Sequence, residues 1–109
     1  QLPWAHAMRI LLGGEPVSSE QALQMGLVSE VVPMARLQAR AEEFAERVCR
    51  QAPLALQAIK RTALETHTLP WAEAFSYEMQ QAADVMMSQD AREGTRAFRD
   101  KRDPDFKGQ

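Results

Sequence analysis

At 109 residues, 45% hydrophobic and 26% charged, the chain has the proportions of a single globular module, too short for two comfortable domains. A net charge of -2 argues against nonspecific nucleic-acid binding, and no apolar run approaches the roughly 20 residues needed to cross a bilayer, so neither nucleic acid nor membrane is an expected partner. The lone Cys49 makes no internal disulfide, which points to a reducing compartment and, by default, the cytoplasm.

There is no initiating methionine, signal peptide or lipidation box, so Gln1 reads as a cut. Pro3 suits a first helical turn, and Trp4, Met8, Leu11 and Leu12 form a one-face stripe that Gly13 and Gly14 end. Next, Ser18 and Gln21 match a capping box, Val17 and Ala22 a hydrophobic staple, and Gly26 followed by Leu27 a Schellman stop, which together predict a helix of two turns. Residues 27–32, rich in valine and bounded by Gly26 and Pro33, are expected to form at most one short extended segment.

From Pro33 to Ala52 the apolar positions Leu37, Ala41, Phe44, Ala45, Val48 and Ala52 keep a helical period, with Glu43/Arg47 and Glu46/Arg50 paired on the other side. Pro53 opens a further helix with Leu56, Ile59 and Ala63 on its buried side. Thr68 is expected to cap a long helix whose Ala72, Phe75, Met79, Ala82 and Met86 follow a 3, 4, 3, 4 spacing, a seam that calls for a partner helix. Ser88 or Asp90 opens the last helix, with Asp90 and Glu93 as a capping pair and Pro104 beyond its end.

Little in this pattern carries chemistry. His6 and His67 stand apart from other ligands at metal-binding spacing, so no metal and no catalytic residue is assigned. Cys49 is expected to be a small core filler, the six methionines adaptable packing, and Lys60 a lysine that snorkels past apolar neighbours. The turn "LLGGEP" follows a helix and lacks the lysine of a phosphate loop.

The end of the chain is different. Residues 1–91 hold seven basic and eleven acidic groups, whereas residues 92–109 hold six and four. On the last helix Gly94, Phe98 and Lys101 fall at i, i+4 and i+7, so one face runs small, aromatic, cationic. An aromatic ring one turn from an ammonium suits a purine and its phosphate; cations at the helix end with a phenylalanine in the core explain the spacing equally well.

Three stretches resemble the enoyl-CoA hydratase/isomerase (crotonase) superfamily: "MRILLGGEPVSSEQALQMGLVSEVVP", "QAPLALQAIK" and the closing "DAREGTRAFRDKRDPDFKG", similar to the pattern D..EG..AF..KR.P.F.G. The resemblance implies an all-α C-terminal region of a crotonase-like fold. Residues 1–33 would end the crotonase core, and 34–109 would form a helical region for trimer or hexamer assembly. It implies an acyl-CoA thioester as the parent enzyme's substrate, no covalently bound cofactor, and Phe98 and Lys101 near the adenine and phosphate of coenzyme A held by a neighbouring subunit. It also implies that the oxyanion hole and the acid/base residues lie outside this stretch, so that the chain alone is inactive. The alternative from another class is a self-standing helical homo-oligomerisation module that binds no ligand.

Overall fold

The computed structural model describes residues 2–109, and among them the regular structure is entirely α-helical. Six helices follow in order: α1 (Trp4–Gly13), α2 (Ser19–Gln24), α3 (Met34–Cys49), α4 (Pro53–Glu65), α5 (Trp71–Met86) and α6 (Gln89–Asp100). The chain divides into two compact units between Glu42 and Glu43, inside α3.

In the first unit the local signals of the sequence act as written. Gly14 takes the left-handed conformation at φ 63° and returns its N–H to the Ile10 carbonyl, closing α1. At α2, Ser18 Oγ accepts the Gln21 N–H at 3.2 Å while Gln21 Oε1 accepts the Ser18 N–H at 3.1 Å, the reciprocal capping box. Its other end is a full Schellman turn: with Gly26 at φ 75°, the Gly26 N–H reaches the Leu23 carbonyl at 3.1 Å and the Leu27 N–H reaches that of Ala22 at 2.8 Å. Residues 27–32 form no strand; Arg40 fixes this stretch to α3 through a 2.8 Å ion pair with Glu30.

The second unit is built on a helical hairpin. Pro53 occupies the first turn of α4, where its missing N–H costs nothing, and α4 packs against α5, with Arg61 Nη1 donating to Gln81 Oε1 at 3.3 Å. The cap expected at Thr68 is not used: α5 starts after Pro70, with no side-chain cap, and the Leu69 N–H bonds back to the Thr66 carbonyl. A helix capped by Thr68 would need Leu69 in the helical region, which the following proline ring disfavours.

The core is thin. Among the described residues only Ala22 and Ala97 are buried apolar side chains. The methionines expected to pack a core are instead largely solvent-facing, with Met34, Met79, Met86 and Met87 all exposed, and so is Cys49 at the end of α3. The periodic apolar positions are on one face as expected, but within this chain much of that face has nothing to cover it.

Candidate functional site

The site begins with the cap of α6. Ser88 opens the helix, its Oγ accepting the Ala91 N–H at 3.0 Å. Asp90 is therefore released from capping, and its carboxylate, only 2% exposed, turns to the end of the chain: Oδ1 accepts the Lys107 N–H at 2.7 Å and Oδ2 the Gly108 N–H at 2.8 Å. The expected Asp90/Glu93 capping pair is thus replaced by two separate grips on the tail. The Gln109 oxygen completes the return by accepting the N–H groups of Gln89 and Asp90 at 2.6 and 3.1 Å, donors that the first turn of a helix leaves unpaired.

One turn along, Glu93 holds the tail a second time. Arg102 meets it with both ends of its guanidinium, at 2.6 Å to Oε1 and 3.0 Å to Oε2, and the Asp105 N–H adds a third bond at 3.1 Å. These donors, Arg102 first and then the Asp105 amide, hold the Glu93 carboxyl down at about 2 and raise the Arg102 guanidinium above its ordinary value in return. Beyond that grip the Phe106 ring lies on Gly94, at 3.5 Å from where a β-carbon would stand, and the Lys107 ammonium pairs with Asp105 at 2.8 Å. The tail lies back along the helix it follows.

The reversal itself falls at Lys101. Its backbone is left-handed, at φ 54° and ψ 41°, and the only non-glycine residue with positive φ among those described. The Lys101 N–H bonds the Phe98 carbonyl at 3.3 Å and the Arg102 N–H that of Ala97 at 3.1 Å, so lysine occupies the place in a Schellman turn that glycine ordinarily fills. A side chain in that conformation costs about 1 kcal/mol.

The fold accounts for most of the closing pattern in this way. Asp90, Glu93, Arg102 and Gly108 are partners in the clasp, Gly94 and Phe106 are in contact, and Ala97 is 1% exposed. Phe98, Lys101 and Pro104 are left over, and Pro104 stands just beyond the helix end, where a proline cannot continue the helix. Phe98 is 88% exposed, which removes the reading of it as a core residue within this chain, and Lys101 is exposed beside it at the helix end. Reading the sequence missed the clasp, although the signal was present: the pattern places two acids before the turn and an arginine and a glycine after it.

Elsewhere, the described residues bring together no three His, Cys, Asp or Glu side chains able to hold a metal ion, and His6 and His67 are exposed, one in each unit. The hairpin carries an apolar groove of about 480 Å³ between α4 and α5, lined by residues that include Ile59, Ala63, Ala82, Val85 and Met86.

Among the described residues the arrangement is all-α, its last helix held by a carboxylate clasp with the Phe98 ring and the Lys101 side chain outward. The sequence pattern of the Enoyl-CoA hydratase/isomerase family matches residues 1–109, and the chain belongs to that family. It is similar to an enoyl-CoA hydratase of Mycobacterium tuberculosis, at 41% identity over 97% of this chain and 40% of the relative. It is also similar to the (E)-benzylidenesuccinyl-CoA hydratase of Thauera aromatica, at 37% over 98% of this chain and 42% of that protein. Among solved structures, an enoyl-CoA hydratase/isomerase from Mycobacterium paratuberculosis superposes with a TM-score of 0.91 at 35% identity, over 99% of this chain and 44% of the other. An enoyl-CoA hydratase from Mycobacterium tuberculosis does so with a TM-score of 0.92 at 31% identity, over 99% and 43%. The chain spans about two fifths of the length of the curated relatives it matches.

Proposed function

We propose that this chain is the closing helical part of a crotonase-type enzyme acting on acyl-CoA thioesters, in which residues 34–109 join subunits and Phe98 and Lys101 contact the nucleotide of coenzyme A. The observation that carries the reading is the division of the closing pattern. Asp90, Glu93, Arg102 and Gly108 are used by the clasp, Gly94, Ala97 and Phe106 pack within the chain and Pro104 follows the helix end, whereas the Phe98 ring is 88% exposed and the Lys101 side chain is exposed on a costly backbone conformation. A flat ring and an ammonium at the end of one helix suit an adenine and a phosphate. Polarising the thioester oxygen needs preorganised donors, and in this reading they belong to the rest of the enzyme. Turnover of crotonyl-CoA by the 109 residues alone would contradict that assignment.

The contact is tested in the complete enzyme. It is remote from the reacting carbons and equal in ground and transition states, so Lys101→Ala should raise KM for acyl-CoA and leave kcat nearly unchanged. A charge-assisted bond of about 1.5 to 3 kcal/mol sets the ceiling, and solvent exposure pulls the effect toward tenfold. An acyl-pantetheine substrate, which lacks the nucleotide, should be handled alike by both proteins. Equal loss on the short and the full substrate would sink the contact and favour a structural role for Lys101.

A second reading is favoured by one specific observation, the exposure of Phe75, Met79 and Met86 along the α5 seam. It is a helical module whose business is association with its own kind, without ligand. An unchanged KM in Lys101→Ala, together with an assembled enzyme, would prefer it.

A further inference from the structure

The lysine that the proposed contact uses stands in a conformation it would not choose alone, so something nearby must hold it there. The residues that follow Lys101 are fixed chiefly by one side chain. Glu93, two turns back on α6, accepts both guanidinium nitrogens of Arg102, the immediate neighbour of Lys101, and also the Asp105 N–H three residues further on. Arg102 is committed by these bonds and by Nη1 donating to the Asp103 carbonyl at 3.1 Å. The Glu93 side chain is 18% exposed and that of Arg102 42%, so the pair is open to solvent on the arginine side and is held by its two-pronged geometry and the Asp105 amide. Its carboxyl is held far on the ionised side by the same donors, so the grip persists throughout the neutral range.

We propose that Glu93 is a positioning residue for the coenzyme A contact: through Arg102 and the Asp105 amide it holds the left-handed turn that sets where Lys101 stands relative to Phe98. This rests on the reading of Phe98 and Lys101 as nucleotide contacts and adds to it the residue that fixes their geometry. Asp90 grips the tail further on, at Lys107 and Gly108, and so governs the end of the chain more than the turn. The carboxylate of Glu93 is the one bonded to the residue adjoining Lys101. Replacing it by glutamine leaves one acceptor oxygen and turns the other position into a donor facing an arginine, which opens the fork.

The test is a cycle of variants in the complete enzyme, read as kcat and KM for an acyl-CoA substrate. Glu93→Gln should raise KM roughly threefold to tenfold, with kcat held within about twofold, because only the remote contact is displaced. Arg102→Gln opens the same fork from the other side and should reproduce the result, which keeps the test available if Glu93→Gln fails to fold. The deciding measurement is the double variant. If Glu93 acts through Lys101, adding Glu93→Gln to Lys101→Ala produces no further rise in KM. A full additional rise in that background, or a fall in kcat matching the rise in KM, would overturn the positioning role, since a general loss of structure does not depend on whether Lys101 is present. If Lys101→Ala raises KM while Glu93→Gln and Arg102→Gln do not, the positioning inference alone fails. If Lys101→Ala changes nothing, the contact itself fails and takes the positioning role with it.

Discussion

The hairpin of α4 and α5 and the α6 clasp solve opposite problems. In the hairpin the sequence supplies apolar surface at helical spacing, yet Ile59, Phe75, Met79 and Met86 are between 48% and 75% exposed, so the chain leaves that surface uncovered. In the clasp the apolar part is small, Phe106 on Gly94, and the tail is held by carboxylates whose lone pairs are taken by backbone N–H groups and one guanidinium. Hydrophobic burial is non-directional and can be completed by a second molecule; a directed network such as the clasp must be completed within itself, because each unpaired buried group is costly. The first region is open to assembly, and the second is finished as it stands.

The largest effect expected from this contrast is in association. The exposed seam of α5 predicts that the chain in solution is larger than one 12.3 kDa copy, and that Phe75→Asp, which places a charge in the middle of the seam, shifts it toward that mass. Sedimentation at several concentrations checks both statements. A wild-type chain that sediments as a single copy throughout would break the comparison at its apolar end.

The next effect lies in the clasp. Asp90→Ala removes two charge-assisted hydrogen bonds from a buried position and leaves the Lys107 and Gly108 N–H groups without their acceptor. A loss of about 3 kcal/mol in local stability is expected, which corresponds to amide exchange at Lys107 and Gly108 roughly a hundredfold faster or more. The α4 and α5 amides should be much less affected. Equal acceleration along the hairpin would show that the two regions are not independent.

How far each region was legible in the sequence follows from the kind of interaction that builds it. The Ser18/Gln21 box, the stop at Gly26 and the start at Pro53 depend on groups within a few residues of one another, and the sequence displays both partners. The family resemblance and the all-α class were legible on the same terms. Thr68 misled because its suitability as a cap was weighed without the restriction that Pro70 places on Leu69. Asp90 misled for a more general reason: a carboxylate early in a helix normally serves that helix, and only the return of the tail, 17 and 18 residues later, shows that it serves Lys107 and Gly108 instead. For the methionines and Cys49, helical spacing identified a face, but spacing does not say whether the chain itself supplies the cover.

A smaller effect is the pH dependence of the Glu93 grip. Its folded carboxyl titrates at about 2 against an ordinary 4.5, so the folded state binds this proton less readily than the unfolded one. Stability from the grip is therefore fully present above about 4.5 and is lost as pH falls from there through 2, the direction expected of a depressed carboxyl. The backbone N–H resonance of Asp105, which donates to Glu93, reports it directly. A titration midpoint at 4.5 in the folded chain would mean that Arg102 does not hold the carboxylate, and the clasp would lose its middle contact.

The smallest effect separates the lysine's cost from its use. Lys101 takes a left-handed backbone in a turn whose two hydrogen bonds, to the Phe98 and Ala97 carbonyls, are made by backbone atoms alone. Lys101→Gly keeps both bonds and relieves the contact between β-carbon and carbonyl, so a gain of up to about 1 kcal/mol is available, reduced by glycine's greater freedom in the unfolded chain. The net change in thermal stability should be slight and in the stabilising direction. In the complete enzyme the same substitution removes the ammonium and should raise KM for acyl-CoA as much as Lys101→Ala does. Alanine removes the charge but keeps the β-carbon in the strained conformation, so the two variants should agree in KM and differ in stability. If Lys101→Gly proves less stable than the wild type, the lysine side chain contributes to the fold beyond its backbone, and its retention at a glycine position would no longer point to a contact outside the chain.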